Sequence, residues 1–289
     1  MPVQKLKVFL QNSNRDRIHV LVFTYNHEKY VRECLISILN QKNVEVFITV
    51  FDDFSTDGTT DIVESLVASN RNRIQLLRAR KNHGDPIANF KDSGKAWRSK
   101  CKYWVAIEGD DFFGSPFRLF IQLATLKTQR NLIGVSSNCI LWNVTEDRKS
   151  IIRPDRPSWN YYDTVFLHNN LRFYVHMSSI LWRKSRGGKL LPKRFLRTKE
   201  NFGEVFLTTS MLRSHLRKRM FHTEIHGSTY RYTGEGIWSS LTKKEQERRN
   251  QELLKRLKTL RTFLVNLEDR YHWKLLRLLI HWRCINKFY

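Results

Sequence analysis

The chain has 289 residues, 41% hydrophobic and 27% charged, with 12 Gly, 6 Pro and no low-complexity tract, which excludes disordered, collagen-like and fibrous classes. Net charge is +24, from 51 Lys and Arg against 27 Asp and Glu, so a polyanionic partner is the first expectation: nucleic acid, an anionic membrane face or a phosphorylated substrate. The excess is uneven, with 20 basic and 14 acidic side chains in residues 1–140 and 31 against 13 in residues 141–289.

Cys34, Cys101, Cys139 and Cys284 lie far apart with no Cys-x-x-Cys pair, so neither a zinc cluster nor a disulfide framework is indicated and a reducing cytoplasm is expected. Met1 to Val22 interleaves charges with short apolar pieces, unlike a signal peptide. No run reaches the roughly 18 apolar residues of a spanning helix.

Ile18 to Thr24 (IHVLVFT) reads as a buried strand ending at Tyr25-Asn26, and Glu28 to Leu39 then carries Val31, Leu35, Ile38 and Leu39 at helical spacing. Glu45 to Phe51 repeats the strand and stops at Asp52-Asp53, after which Asp57-Gly58-Thr59-Thr60 opens a helix with Ile62, Val63, Leu66 and Val67. Ile74 to Leu77 reads as a third strand, Ala88 to Trp97 as a helix, and Tyr103 to Ile107 as a fourth strand entering Glu108-Gly109-Asp110-Asp111. A helix after Pro116 and a strand over Gly134 to Trp142 follow. Strand and helix pieces are expected around Met177 to Trp182 and Val205 to Leu216. Such alternation predicts an α/β fold with a mostly parallel sheet wrapped by helices, and ligands outside the carboxyl ends of its strands.

Three polar loops fall at those ends. Three neighbouring carboxylates repel one another unless a cation or hydrogen-bond donors compensate them. Asp110 and Asp111 supply hard oxygens suited to Mg²⁺ or Mn²⁺, whose remaining shell waters and substrate phosphates can complete. The alternative is a turn capping the helix that follows.

The segments VLVFTYNHEKYVRECLISILNQ, VFITVFDDFSTDGTTDIV and YWVAIEGDDFFGSPFRLFIQ, in this order and spacing, resemble the family 2 glycosyltransferases of the GT-A (Rossmann-like) fold. The resemblance covers about residues 18–140 and resumes at 201–216 and in YRYTGEGIWSSL, similar to the segment that closes the family's active site. It implies that Phe23, Tyr25, Asn26 and Asp53 hold the nucleotide base, Tyr25 stacking on it and Asp53 accepting its ring N–H. Asp52 and Asp53 also suit a helix-approach turn. His83 falls near a position where the family often has a basic donor contact, or is an ordinary loop histidine.

The resemblance further implies that Asp111 is the main metal ligand and that Asp110 contacts metal or sugar. Glu108 stands at the first position of the family's Asp-x-Asp-like motif. Glu204, in Gly203-Glu204-Val205, becomes the general base with Glu200 as the other candidate. A helix-start glutamate is the plainer alternative for Glu204. Arg231 pairs with the diphosphate and Trp238 stacks on sugar or acceptor. The family's histidine near Thr233 is missing, and His222 and His226 are nearby substitutes in principle.

From Leu241 the composition changes. Leu253, Leu257, Leu260, Leu264, Leu267 and Tyr271 recur at three- and four-residue spacing, with 13 basic and 5 acidic side chains in residues 241–289. A basic amphipathic helical extension of this kind can lie on an anionic membrane face, pack over the catalytic domain or dimerise. Nucleic-acid binding has no zinc finger, basic zipper or RNA-recognition motif to carry it. A nucleotidyltransferase lacks its Gly-rich N-terminal signature here.

The expectation is therefore a GT-A-like domain over residues 1–240, with a nucleotide-binding half at about 18–140 and an acceptor half at about 141–240, followed by the extension at 241–289. Its partners are a nucleotide-sugar donor, a UDP-sugar first, a divalent cation, and a saccharide or lipid-linked glycan acceptor in bacterial lipopolysaccharide, lipooligosaccharide or capsule synthesis. The expected location is cytoplasmic, peripheral on the inner membrane face. A catalytically inactive scaffold is the alternative from a different class.

Overall fold

The computed structural model describes residues 17–84, 101–153, 161–162, 175–184, 219–236, 239–249, 251–252 and 255. The helix expected at Ala88 to Trp97, the piece at Val205 to Leu216, Glu200, Glu204, Trp238 and nearly all of the C-terminal extension lie outside them.

The elements, in chain order, are β1 (Arg17–Thr24), α1 (Val31–Leu39), β2 (Glu45–Asp52), α2 (Thr59–Ser69), β3 (Ile74–Arg78), β4 (Tyr103–Glu108) and β5 (Phe112–Phe113). There follow α3 (Arg118–Thr128), β6 (Leu132–Asn143), β7 (Arg148–Ile152), β8 (Tyr161–Tyr162), β9 (Leu181–Arg183) and β10 (Arg219–Tyr232). A 3₁₀ turn, Met177–Ser179, precedes β9. One sheet runs β3-β2-β1-β4-β9-β6-β10-β5, with β7 on β6 and β8 on β10.

The first four strands are parallel, in register Phe23↔Phe51, Thr24↔Asp52 and Phe23↔Glu108. That register explains the site, because it ends three strands at one level and delivers their terminal carboxylates to one edge. β9 joins β4 and β6 antiparallel, β10 runs parallel to β6, and β5 returns antiparallel to β10. The sheet is thus mixed beyond β4. Parallel strands covered on both faces need continuous apolar runs, and all but Arg17 and Phe23 of β1 are buried.

The core lies where α1 and α3 cover this sheet. Val31, Cys34, Leu35 and Ile38 form one stripe of α1 at i, i+3, i+4 and i+7. They pack with Val20, Val22, Val46, Ile48, Val105 and Ile107 of the strands and Leu119, Leu123 and Leu126 of α3. Each such side chain contributes about 1.5–3 kcal/mol by leaving water. Arg118 and Gln122, on the same helix, are also fully buried. The Arg118 guanidinium donates to the carbonyls of Gly227 (3.0 Å) and Ser178 and to Gln122 Oε1 (3.1 Å), and faces the Phe113 ring at 4.1 Å. Burial lowers its pKa to about 9.

Two features depart from the expectation. β10 makes a 14-residue strand out of a stretch with no clear alternation, because register shifts between Thr223 and His226 and between His226 and Ser228 reset the pleat. β7, at the polar stretch after Thr145, is an exposed strand with only Ile152 partly covered. Among the described residues, no helix is long and apolar enough to cross a membrane.

Candidate active site

The site is built on the carboxyl ends of β1, β2 and β4. Thr24, the last residue of β1, donates its hydroxyl to Asp52 Oδ1 at 3.1 Å. Asp52 also takes the Ser55 N–H at 2.9 Å and the Ser55 hydroxyl. Asp52 is fully buried and consumed by this turn. Asn26 crosses from β1 to the same turn: its N–H donates to Ser55 Oγ (3.0 Å) and its side-chain oxygen accepts the Thr56 N–H (2.9 Å). It does so at φ 54, a left-handed setting that Asn tolerates better than most residues. Asn26 therefore holds the loop from inside.

Asp53 and His83, assigned separately in the sequence reading to base and donor, are brought into contact. Asp53 Oδ1 accepts the His83 N–H and faces its Nδ1, each at 3.0 Å, and Oδ2 accepts the Gly84 N–H at 3.1 Å. Gly84 has φ 55, which favours glycine, so the loop can wrap the carboxylate. Tyr25 is 43% exposed at the same edge, free to offer a ring face, while Phe23 is partly buried beside it.

The second cluster hangs from β4. Gly109 N–H donates to Phe23 O at 2.7 Å, extending the β1–β4 pairing by one residue, and a turn closes from Asp111 N–H to Glu108 O at 3.1 Å. Asp110 and Asp111 are 5% and 0% exposed. Asp111 Oδ1 accepts the Arg231 N–H at 3.0 Å. Asp111 Oδ2 and Asp110 Oδ1 are buried with no hydrogen-bond partner among the described residues. Burial, then Asp110 and Glu108, hold the Asp111 carboxyl well above the usual range, opposed by Arg231. Glu108 is pushed up to about 7 by close enclosure and then by Asp110. Its side chain still reaches solvent, which tempers that shift.

Two buried, unsatisfied carboxylate oxygens on consecutive residues constitute an uncompensated demand for positive charge. Hard oxygen donors fit a divalent cation that keeps several waters or phosphate oxygens. Among the described residues no three His, Cys, Asp or Glu side chains form a ready-made cage, so protein ligands alone do not complete such a shell.

Arg231 is not directed outward. It is 4% exposed, donates to the Asp110 carbonyl at 2.6 Å and pairs with Glu33 of α1. Its guanidinium lies 4.5 Å from the Phe112 ring, 5.2 Å from Tyr30 and 5.7 Å from Trp142. His222 is engaged by Ser136 (2.9 Å) and Asn138 (3.0 Å), and His226 by Thr229 (3.0 Å).

Three residues escaped the sequence reading. His27 Nε2 sits 3.8 Å from Asp110 Oδ2. Glu33, in the first turn of α1, meets the Arg231 guanidinium. Arg78 ends β3 directly opposite Asp52, donates to Ser55 O at 2.9 Å and lies 5.6 Å from the ring of Phe54, itself exposed and at φ 67. Extending the third strand by one residue would have found Arg78; nothing local announces the other two.

A mixed α/β sheet, parallel over its first four strands, with an Asp-Asp pair at the end of β2 and an Asp-rich turn after β4, is the GT-A arrangement, and solved structures share the fold. The TarS 1–349 fragment of S. aureus in complex with UDP-GlcNAc aligns with a TM-score of 0.57 at 18% identity, over 78% of this chain and 61% of that one. The mannosyltransferase PcManGT of Pyrobaculum calidifontis, in complex with GDP-Man and Mn²⁺, aligns with a TM-score of 0.54 at 14% identity, over 82% and 65%. The Glycosyl transferase family 2 model matches residues 19–186, and the chain belongs to that family. A poly(ribitol-phosphate) beta-glucosyltransferase of Bacillus spizizenii is 32% identical over 101 residues, and the dTDP-rhamnosyl transferase RfbG of Shigella flexneri 39% over 67. Those matches span 34% and 23% of this chain but only 16% and 23% of the relatives' own lengths.

Proposed function

We propose that the protein transfers a sugar from a nucleotide diphosphate donor, a UDP-sugar, to a saccharide acceptor with inversion at the anomeric carbon. The observation that carries this is the pair of buried, unsatisfied oxygens Asp110 Oδ1 and Asp111 Oδ2, on the same sheet edge as the Asp53–His83 pair. Asp53 and Tyr25 bind the base, Asn26 and Phe23 shape its loop, and His83 lies at the donor's edge. Asp110 and Asp111 hold Mn²⁺ or Mg²⁺, which when bound supplies positive charge against the leaving diphosphate. Glu108 stands at the rim of that cluster. Glu204, with Glu200 as the other candidate, removes the proton of the acceptor hydroxyl as it attacks, and Trp238 offers a stacking face to sugar or acceptor.

Relatives named for poly(ribitol-phosphate) and teichuronic acid support an acceptor among bacterial surface glycans, of which lipopolysaccharide, lipooligosaccharide and capsule are further members. The basic extension from Leu241 supports docking on the inner face of the cytoplasmic membrane. Calorimetric titration of the full chain with UDP, GDP, TDP and CMP, each with Mn²⁺ and with chelator, tests the reading. Selective, metal-dependent binding of UDP is expected; failure of all four in a folded protein would overturn the donor site and favour a scaffold.

A further inference from the structure

The Arg231 guanidinium carries a positive charge into the carboxylate turn, where it competes with any cation. Its backbone N–H is bound to Asp111 Oδ1 and its Nη1 to the Asp110 carbonyl, while three aromatic rings enclose it. This cation is anchored. Glu33, projecting from the first turn of α1, meets its Nη2. We propose that Glu33 is a positioning residue for divalent-cation binding: it neutralises Arg231 and holds it back from the two open carboxylate oxygens. The proposal rests on the donor-site reading above.

Asp110 and Asp111 each keep one unpartnered oxygen even though a guanidinium is bonded to the same turn. Opposite charges attract more strongly in a partly buried setting than in water. Without a partner on its far side, Arg231 has two outcomes: it turns toward those oxygens and closes the site, or it stays in place as an uncompensated positive charge. Both weaken a cation. Glu33 prevents both from the surface, its side chain being 57% exposed while that of Arg231 is 4% exposed. Its place in the first helical turn sets it beside the positive end of the helix dipole.

The test uses the full chain with saturating UDP and Mn²⁺, free Mn²⁺ being read by electron paramagnetic resonance. Glu33→Gln should weaken Mn²⁺ binding about tenfold, roughly 1.4 kcal/mol, in a protein whose melting transition shows that it remains folded. Glu33→Asp, which keeps the charge, should recover part of the loss. Arg231→Met added to Glu33→Gln should restore affinity if that chain folds; if it does not, the Gln and Asp comparison stands alone. Wild-type Mn²⁺ affinity in folded Glu33→Gln overturns the proposal and leaves the donor-site reading intact. Equal losses in the Gln and Asp variants, with both melting many degrees lower, overturn it in favour of a structural role. A wild-type protein that binds no Mn²⁺ with UDP removes both readings.

Discussion

Gly109→Ala is the most informative single change, because its cost follows from three close neighbours. A Cβ at residue 109 would stand 2.5 Å from Thr24 Cγ2, 2.9 Å from His27 Nδ1 and 3.3 Å from Phe23 O. The histidine ring is partly exposed and can yield. Thr24 cannot yield as easily, since its hydroxyl is committed to Asp52 and its side chain is buried. Phe23 O is backbone and accepts the Gly109 N–H at 2.7 Å. The strain therefore falls on the β4–β5 turn. Overpacking of this kind costs about 1–3 kcal/mol. At roughly 2–4 °C per kcal/mol for a domain of this size, a fall of about 2–12 °C in melting temperature is expected. Asp110 and Asp111 ride on the displaced turn, so UDP-dependent Mn²⁺ affinity should fall more than tenfold. Adding Thr24→Ser, which deletes Cγ2 and keeps the hydroxyl, should recover much of both losses. Calorimetry and thermal denaturation of the two variants decide the matter. A Gly109→Ala protein with wild-type melting and wild-type Mn²⁺ affinity would refute the packing argument.

Asp111→Asn should abolish metal-dependent donor cleavage while the protein stays folded, and full activity in a donor-hydrolysis assay would remove Asp111 from the site. Glu204→Gln should keep donor affinity and lose transfer by a factor of 10² or more, as expected for a lost general base; unaffected transfer would move the role to Glu200. Burial, reinforced by Arg118 at His176 and opposed by Glu224 at His222, lowers both histidines to about 4. In the unfolded chain they titrate near 6.5. Between about pH 4 and 6.5 these histidines bind more protons in the unfolded state, so their contribution is full above that window and declines as pH falls through it, while the raised carboxyls of Glu108 and Asp111 act in the opposite sense. The histidine share is read as a difference: from pH 7 to pH 5 the denaturant midpoint of His222→Gln should fall less, or rise more, than that of wild type, and identical changes would refute it.

The donor half was legible because its chemistry is local. β1, β2 and β4 each announce themselves as apolar runs ending in polar residues, and their common end point turns three short motifs into one site. Motif order named Asp53 and His83 separately, and their pairing across 30 residues came only from the structure. What escaped is non-local or polar. Glu33 and Arg231 are 198 residues apart, and no periodicity in either segment points to the other. The apolar spacing of Leu119, Leu123 and Leu126 hid the fact that Arg118 and Gln122 are buried on the same helix. β10 was unreadable because its irregular register breaks the alternation by which strands are recognised. Glu204 and Trp238 lie outside the described residues, and their roles stand as proposals.

The insertion of β10 between β6 and β5 imposes an order in time on the making of the site. A ribosome delivers Asp111 120 residues before the Arg231 N–H that holds it. At roughly 5–20 residues per second, that interval is about 6–24 s. Throughout it β3, β2, β1 and β4 can already be paired, while β5 lacks the strand it is joined to. The carboxylate turn is consequently among the last parts of the molecule to mature. A nascent chain stalled before Arg219 would present paired parallel strands beside an unfinished carboxylate turn, and under the proposed function capture of donor would begin only once β10 had emerged and paired.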